Sequence, residues 1–167
     1  MAAARTGAGA QPVLLLDQDR SRWDHLLIRR GLAALEKADQ PVAPSPYVLQ
    51  AQIAACLARA LTADETDWAR IASLYAMLAS QTGSAIVELN RAVAISMAEG
   101  AAAGLALIDQ LAGQPSLADC HLLPSVRGDL LVKLGRHREA RLEFERAASL
   151  TQNKAENAFL IQRAADC

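Results

Sequence analysis

From Ser21 onward, apolar residues return every three or four positions, and the runs are broken by clusters of Gly, Pro, Ser, Thr and Asp. That period belongs to amphipathic helices rather than to half-buried strands. Ser21 with Asp24 resembles a capping box, and Trp23, Leu27, Ala34, Leu35 and Ala38 follow at helical spacing, predicting a first helix over about 21–39. "DQPVAPSPY" stops it, because closely spaced prolines cannot continue a helix. A second helix is predicted from Tyr47 to Leu61, ended by "TADET". The third is opened by Asp67 and carries Trp68, Ile71, Leu74, Tyr75 and Leu78 on one side. After Gly83-Ser84 a fourth helix over 85–98 is apolar on almost every side, which predicts burial on several faces. Gly100 separates it from a fifth at 101–112, and three more follow at 120–134, 137–150 and 153–165. Such short connections make consecutive helices antiparallel neighbours.

The spacing of small and large residues gives these helices a register. With His121 as the first position of a repeat, Gly128 falls at 8, Leu134-Gly135 at 14–15, Ala140 at 20, Phe144 at 24 and Ala147 at 27. This is the tetratricopeptide arrangement, in which small residues let two helices of a hairpin approach and larger ones fill the gap. The same spacing occurs 36 residues earlier at Ala92, Gly104, Ile108 and Leu111. A weaker third unit pairs the second helix with the Trp68–Leu78 helix, and the last helix, with Phe159, Leu160 and Ala164 inward, caps the stack. The expected fold is all-α: about eight helices stacked as tetratricopeptide-like hairpins in a short right-handed solenoid. Residues 13–167 form one domain, behind a flexible leader at 1–12.

Composition agrees and narrows the function. The 167 residues are 52% hydrophobic but only 4% aromatic, so the core rests on Ala, Leu, Ile and Val. Seventeen Lys and Arg against 18 Asp and Glu, interspersed, leave no basic stripe for a phosphate backbone, so direct nucleic-acid binding is not expected. No apolar run approaches the roughly 20 residues of a membrane helix. Cys56, Cys120 and Cys167 form neither a disulfide framework nor a metal motif, which points to a reducing cytoplasm.

Catalytic chemistry finds little purchase. Asp119-Cys120-His121 are adjacent and cannot converge on one ion, and His25 and His137 stand alone at helix starts. "GAAAGLAL" lacks the Lys-Ser/Thr of a phosphate loop. No catalytic, cofactor-binding or metal-ligating residue is expected, and no enzyme activity. Asn90 falls among Ile86, Val93, Ala94 and Met97, so its amide either bonds a neighbouring turn or makes a polar contact in a peptide groove. The groove-facing set is expected to be Ser125, Asp129, Val132 and Lys133 with their counterparts on earlier hairpins. Their mixed charges offer no clamp for a terminal carboxylate. Arg91 and Arg127 occupy equivalent repeat positions, and each is expected to pair structurally, Arg127 with Glu143 or Asp109.

Several segments carry a family resemblance: "LLLDQDRSRWD" (Leu14–Asp24), "SPYVLQAQIAA" (Ser45–Ala55), "TDWARIASLYAML" (Thr66–Leu78) and "VELNRAVAISMAEGAAAGL" (Val87–Leu105). "HLLPSVRGDLLVKLGR" and "FERAASLTQNKAENAFL" also fit, in the same order, from Val13 to Ala165. Together they resemble the carboxy-terminal, tetratricopeptide-like extension of a group of bacterial extracytoplasmic-function (ECF) RNA polymerase sigma factors. Ser45 and Val48 stand where that family's segment has Gly and Gln. The family's regions that bind core polymerase and read promoter DNA have no counterpart in these 167 residues. The resemblance implies a regulatory domain that modulates transcription initiation through protein contacts. Its partners would be the upstream sigma regions, RNA polymerase or a regulatory protein. The alternative is a free-standing tetratricopeptide-like adaptor.

Overall fold

The structure, a computed structural model, describes residues 18–38 and 44–167; the expected leader lies outside them. Among the described residues there are eight α-helices and no strand: α1 (His25–Ala38), α2 (Pro46–Arg59), α3 (Trp68–Thr82), α4 (Ala85–Glu99), α5 (Ala101–Leu111), α6 (Leu122–Lys133), α7 (His137–Leu150) and α8 (Lys154–Ala165). Single 3-10 turns occupy Arg20–Arg22 and Pro115–Leu117. Each helix packs chiefly on its sequence neighbours, so α2–α3, α4–α5 and α6–α7 form successive hairpins and α8 closes on α7.

Local chemistry sets the ends. Ser45 caps α2, its hydroxyl accepting from the Val48 N–H at 3.4 Å, a bond that glycine at this position would lack. Asp67 caps α3 by accepting from Arg70 N at 2.8 Å. At the "LGR" turn, Gly135 takes a left-handed φ of 73°; its N–H donates to Val132 O at 2.9 Å and Arg136 N–H donates to Leu131 O at 2.9 Å. That pair of bonds satisfies the last carbonyls of α6, and a side chain at Gly135 would strain the turn.

Helix crossings explain the repeat register. A Cβ on Gly128 would stand 2.7 Å from the Phe144 ring, and one on Gly104 would stand 2.5 Å from Ser96 Cβ and 2.8 Å from Ala92 O. Both hairpins therefore close where the register places its small residues. Leu89, Ala92 and Ile108 join Leu131, Ala140, Phe144 and Leu160 in one buried cluster, while Leu49, Ile53, Ile71, Leu74 and Leu78 form a second with Ala94. Helix α4 contributes to both, which is why it is apolar around most of its circumference.

Three sequence expectations change at the ends of the stack. Ser21 does not cap α1: it sits in the first 3-10 turn, where Asp19 Oδ1 accepts from its N–H at 3.0 Å. The cap is Asp24, whose Oδ1 accepts from Leu27 N at 3.0 Å. The half-buried face of α1 is Ile28, Leu32 and Leu35, while Leu27 is 59% exposed and Ala34 is exposed. With α2 as its main neighbour, α1 turns a narrower stripe inward than its apolar residues would allow. In α8, Leu160 and Ala164 are buried as expected, but Phe159 is 47% exposed. The Arg163 guanidinium lies 4.8 Å from the Phe144 ring centre and 5.9 Å from that of Phe159, covering the core itself.

Candidate interaction surface

The first helices of the second and third hairpins, α4 and α6, touch each other. Ser125, Asp129 and Lys133 follow at one-turn intervals along α6. Asp129 reaches α8, accepting from Arg163 Nη2 at 2.5 Å, and Lys133 reaches α4, its Nζ 3.8 Å from Met97 Sδ. Ser125 is half-buried. Asn90 lies two turns from Met97 on α4, but it is exposed rather than set in an apolar environment. The neighbours of α4 leave a strip open at Ile86 and Asn90, so the amide is solvated, and neither a buried bond nor an enclosed groove is needed to explain it. The structure thus links Asp129 to Arg163 and Lys133 to Met97, and it joins neither Asn90 nor Ser125 to them by a side-chain contact.

Burial raises the pKa of Asp129 against the opposing pull of Arg163 and Lys133. An acid whose folded pKa is raised contributes stability that is complete below its unfolded pKa, about 3.9 for aspartate, and is lost as pH rises through the folded value. Asp129→Asn should therefore gain stability relative to the parent as pH rises above about 3.9, the ordinary aspartate value, which denaturant titrations at a series of pH values would measure.

Arg127 reads as the sequence suggested, and more fully. Its Nε donates to Asp109 Oδ1 at 2.9 Å and its Nη1 donates to Glu143 Oε1 at 2.6 Å, so one guanidinium joins α5, α6 and α7. Burial disfavours its charge, but hydrogen bonds and attraction from the two carboxylates outweigh this and raise its pKa. Arg91 is also paired, but within its own helix, to Glu88 at 2.7 Å. The residues 36 positions before Glu143 and Asp109 are Leu107 and Ser73, so the earlier unit offers no such carboxylates.

Sequence reasoning missed Arg20. It is only 4% exposed, lies 5.3 Å from the Trp23 ring centre, and turns its guanidinium onto the end of α2. Nη1 donates to Leu57 O at 3.0 Å and Ala60 O at 3.1 Å, and Nη2 donates to Thr66 Oγ1 at 3.1 Å. The negative end of a helix thus takes the place of a carboxylate partner. No periodicity marks such a residue, because it precedes the helix it anchors. Arg20→Met should release residues 18–38 to proteolysis while α4–α8 stay resistant.

A cavity of about 390 Å³ between α1, α2 and α3 mixes Cys56, Arg59 and Arg70 with Glu36, Glu65 and Asp67. Burial, reinforced by Asp67, raises the Cys56 pKa and keeps its thiol protonated, the opposite of an activated nucleophile. His121 lies 3.5 Å from Glu156, and no cluster of His, Cys, Asp and Glu able to hold a metal occurs among the described residues. No helix among them is long and apolar enough to cross a membrane.

With this geometry in place, the chain's similarities are informative in their extent. Residues 2–39 match a family of unknown function, DUF6596. An uncharacterized protein of Rhizobium meliloti (strain 1021) is 43% identical over 159 residues, covering 95% of this chain and 37% of the relative. The chain therefore spans little more than a third of the length of the curated relative it matches. No solved structure matches it.

Proposed function

We propose that this chain is a regulatory protein-interaction domain of an ECF-type RNA polymerase sigma factor, acting in the cytoplasm and without enzymatic activity. The observation that carries the reading is modularity: nearly all of this helical stack aligns with 37% of a longer protein. The resemblance of Leu14–Asp24, Thr66–Leu78 and Val87–Leu105 to the sigma-factor extension supports reading that longer protein as a sigma factor. Stacked hairpins with a mixed-charge face suit protein contacts, whereas 17 basic residues against 18 acidic ones give little counterion release on DNA. A free-standing adaptor is the alternative, and it differs in what the domain should capture.

Two assays test the proposal together. Immobilised chain should retain core RNA polymerase or the sigma regions of its own factor from purified mixtures, and a low-salt mobility-shift assay should show no tight promoter binding. Sequence-specific DNA binding by residues 13–167 would overturn the proposal. Failure to retain any component of the transcription machinery would favour the adaptor.

A further inference from the structure

The cavity between α1, α2 and α3 is of ligand size and is lined by charges of both signs. Its volume of about 390 Å³ falls within the roughly 300–1,000 Å³ of small-molecule sites. Arg59 from the end of α2 and Arg70 from the first turn of α3 line it, together with Glu36 of α1 and with Glu65 and Asp67 from the connection between α2 and α3. Neither guanidinium forms a salt bridge among the described residues, although three carboxylates line the same space. Two of those carboxylates are held by the backbone instead. Glu65 Oε2 accepts from Leu61 N–H at 3.1 Å, and Asp67 Oδ1 accepts from Arg70 N–H at 2.8 Å. Held this way, they leave the arginines to other partners, and both signs of charge are in place before a ligand arrives. Half-buried Cys56, on the cavity wall, senses both: burial and Asp67 raise its pKa, while Arg70 and Arg59 lower it. Leu35, Ala60 and Leu74 add an apolar part to the wall.

We propose that this cavity binds a small zwitterion, a free amino acid with an apolar side chain, whose carboxylate meets Arg59 and Arg70 and whose ammonium meets Glu36 and Glu65. Charge balance selects this class of ligand. Two arginines against three carboxylates leave the lining with one negative charge in excess, which disfavours a simple anion. A simple cation, in turn, would lie against two guanidinium groups. A neutral molecule that carries both charges satisfies each sign, and the planar guanidinium fork matches a carboxylate. Leu35 and Leu74 then receive the side chain. Such a site would serve a sigma-factor module and a free-standing adaptor alike, so its test is separate from theirs.

Calorimetric titration of the 167-residue chain with leucine, valine and methionine tests this, followed by the deaminated and decarboxylated analogues of whichever binds most tightly. At least one amino acid should bind, and loss of either ligand charge should weaken binding about tenfold or more, as expected for a charge-assisted hydrogen bond. Arg59→Gln and Arg70→Gln should each weaken it about as much with the helical spectrum intact, since both side chains are exposed. Arg146→Gln, on α7 and outside the cavity, should leave binding unchanged. Bound ligand should also slow alkylation of Cys56 by iodoacetamide, read by peptide mass spectrometry, and leave Cys120 and Cys167 unaffected. No binding of any of the three amino acids at about 10 mM would overturn the proposal. So would equally tight binding of either analogue, which would reduce the cavity to a site for a single charge. Binding that leaves Cys56 alkylation unchanged would place the ligand elsewhere and overturn it too.

Discussion

Gly128→Leu is expected to destabilise the fold by about 1–3 kcal/mol, the usual cost of overpacking a well-filled core. A single Cβ at this position already stands 2.7 Å from Phe144 Cε1, 2.9 Å from Cδ1 and 3.0 Å from Cζ. The ring has little room to yield, because Phe144 is fully buried and the Arg163 guanidinium lies 4.8 Å from its centre. The whole leucine side chain must therefore separate α6 from α7, and Ala140 and Leu131, both at 0% exposure, lose packing with it. Gly31→Ala is the matched control: nothing lies within 4 Å of the added Cβ, and the helical interior favours alanine over glycine by about 1 kcal/mol. Urea denaturation of both variants would show the contrast. Unchanged stability in Gly128→Leu would mean that the α6–α7 crossing lies elsewhere.

Arg127→Met should cost about 1–3 kcal/mol, the penalty for leaving buried polar groups without a partner. Glu143 is the reason: its side chain is 15% exposed, and its Oε2 is buried with no hydrogen-bond partner, so Arg127 is its main compensation. The cost falls below the roughly 3–5 kcal/mol of breaking a fully buried pair, because water still reaches part of the site. Asp109, half exposed, can turn to solvent. Adding Glu143→Leu to Arg127→Met should recover most of the loss, since the uncompensated charge is then gone. A double-mutant cycle measures this, and additive losses would show that the methionine disturbs packing and that the charge is incidental.

The legible parts of the fold were those written in side-chain size and period. Gly128, Ala140 and Phe144, with Ala92 and Gly104 before them, announced two helix crossings because a close approach excludes anything larger. Arg127 was legible too, as a cation among leucines with carboxylates one helix away. Asn90 misled because a helical wheel shows which residues share a face, not whether another helix covers it. The inward face of α1 failed for the same reason: with one main neighbour, several rotations satisfy its pattern, and the structure selects Ile28, Leu32 and Leu35. Arg20 and the Asp129–Arg163 pair depend on residues distant in sequence, for which period carries no signal.

Under the proposed function, this stack of helices acts through what it touches. In vitro transcription by holoenzyme assembled with the full-length factor, compared with the same factor lacking this segment, addresses that claim most directly. The account predicts impaired or misregulated initiation from the truncated factor at its own promoters. Identical promoter output from both proteins would contradict it.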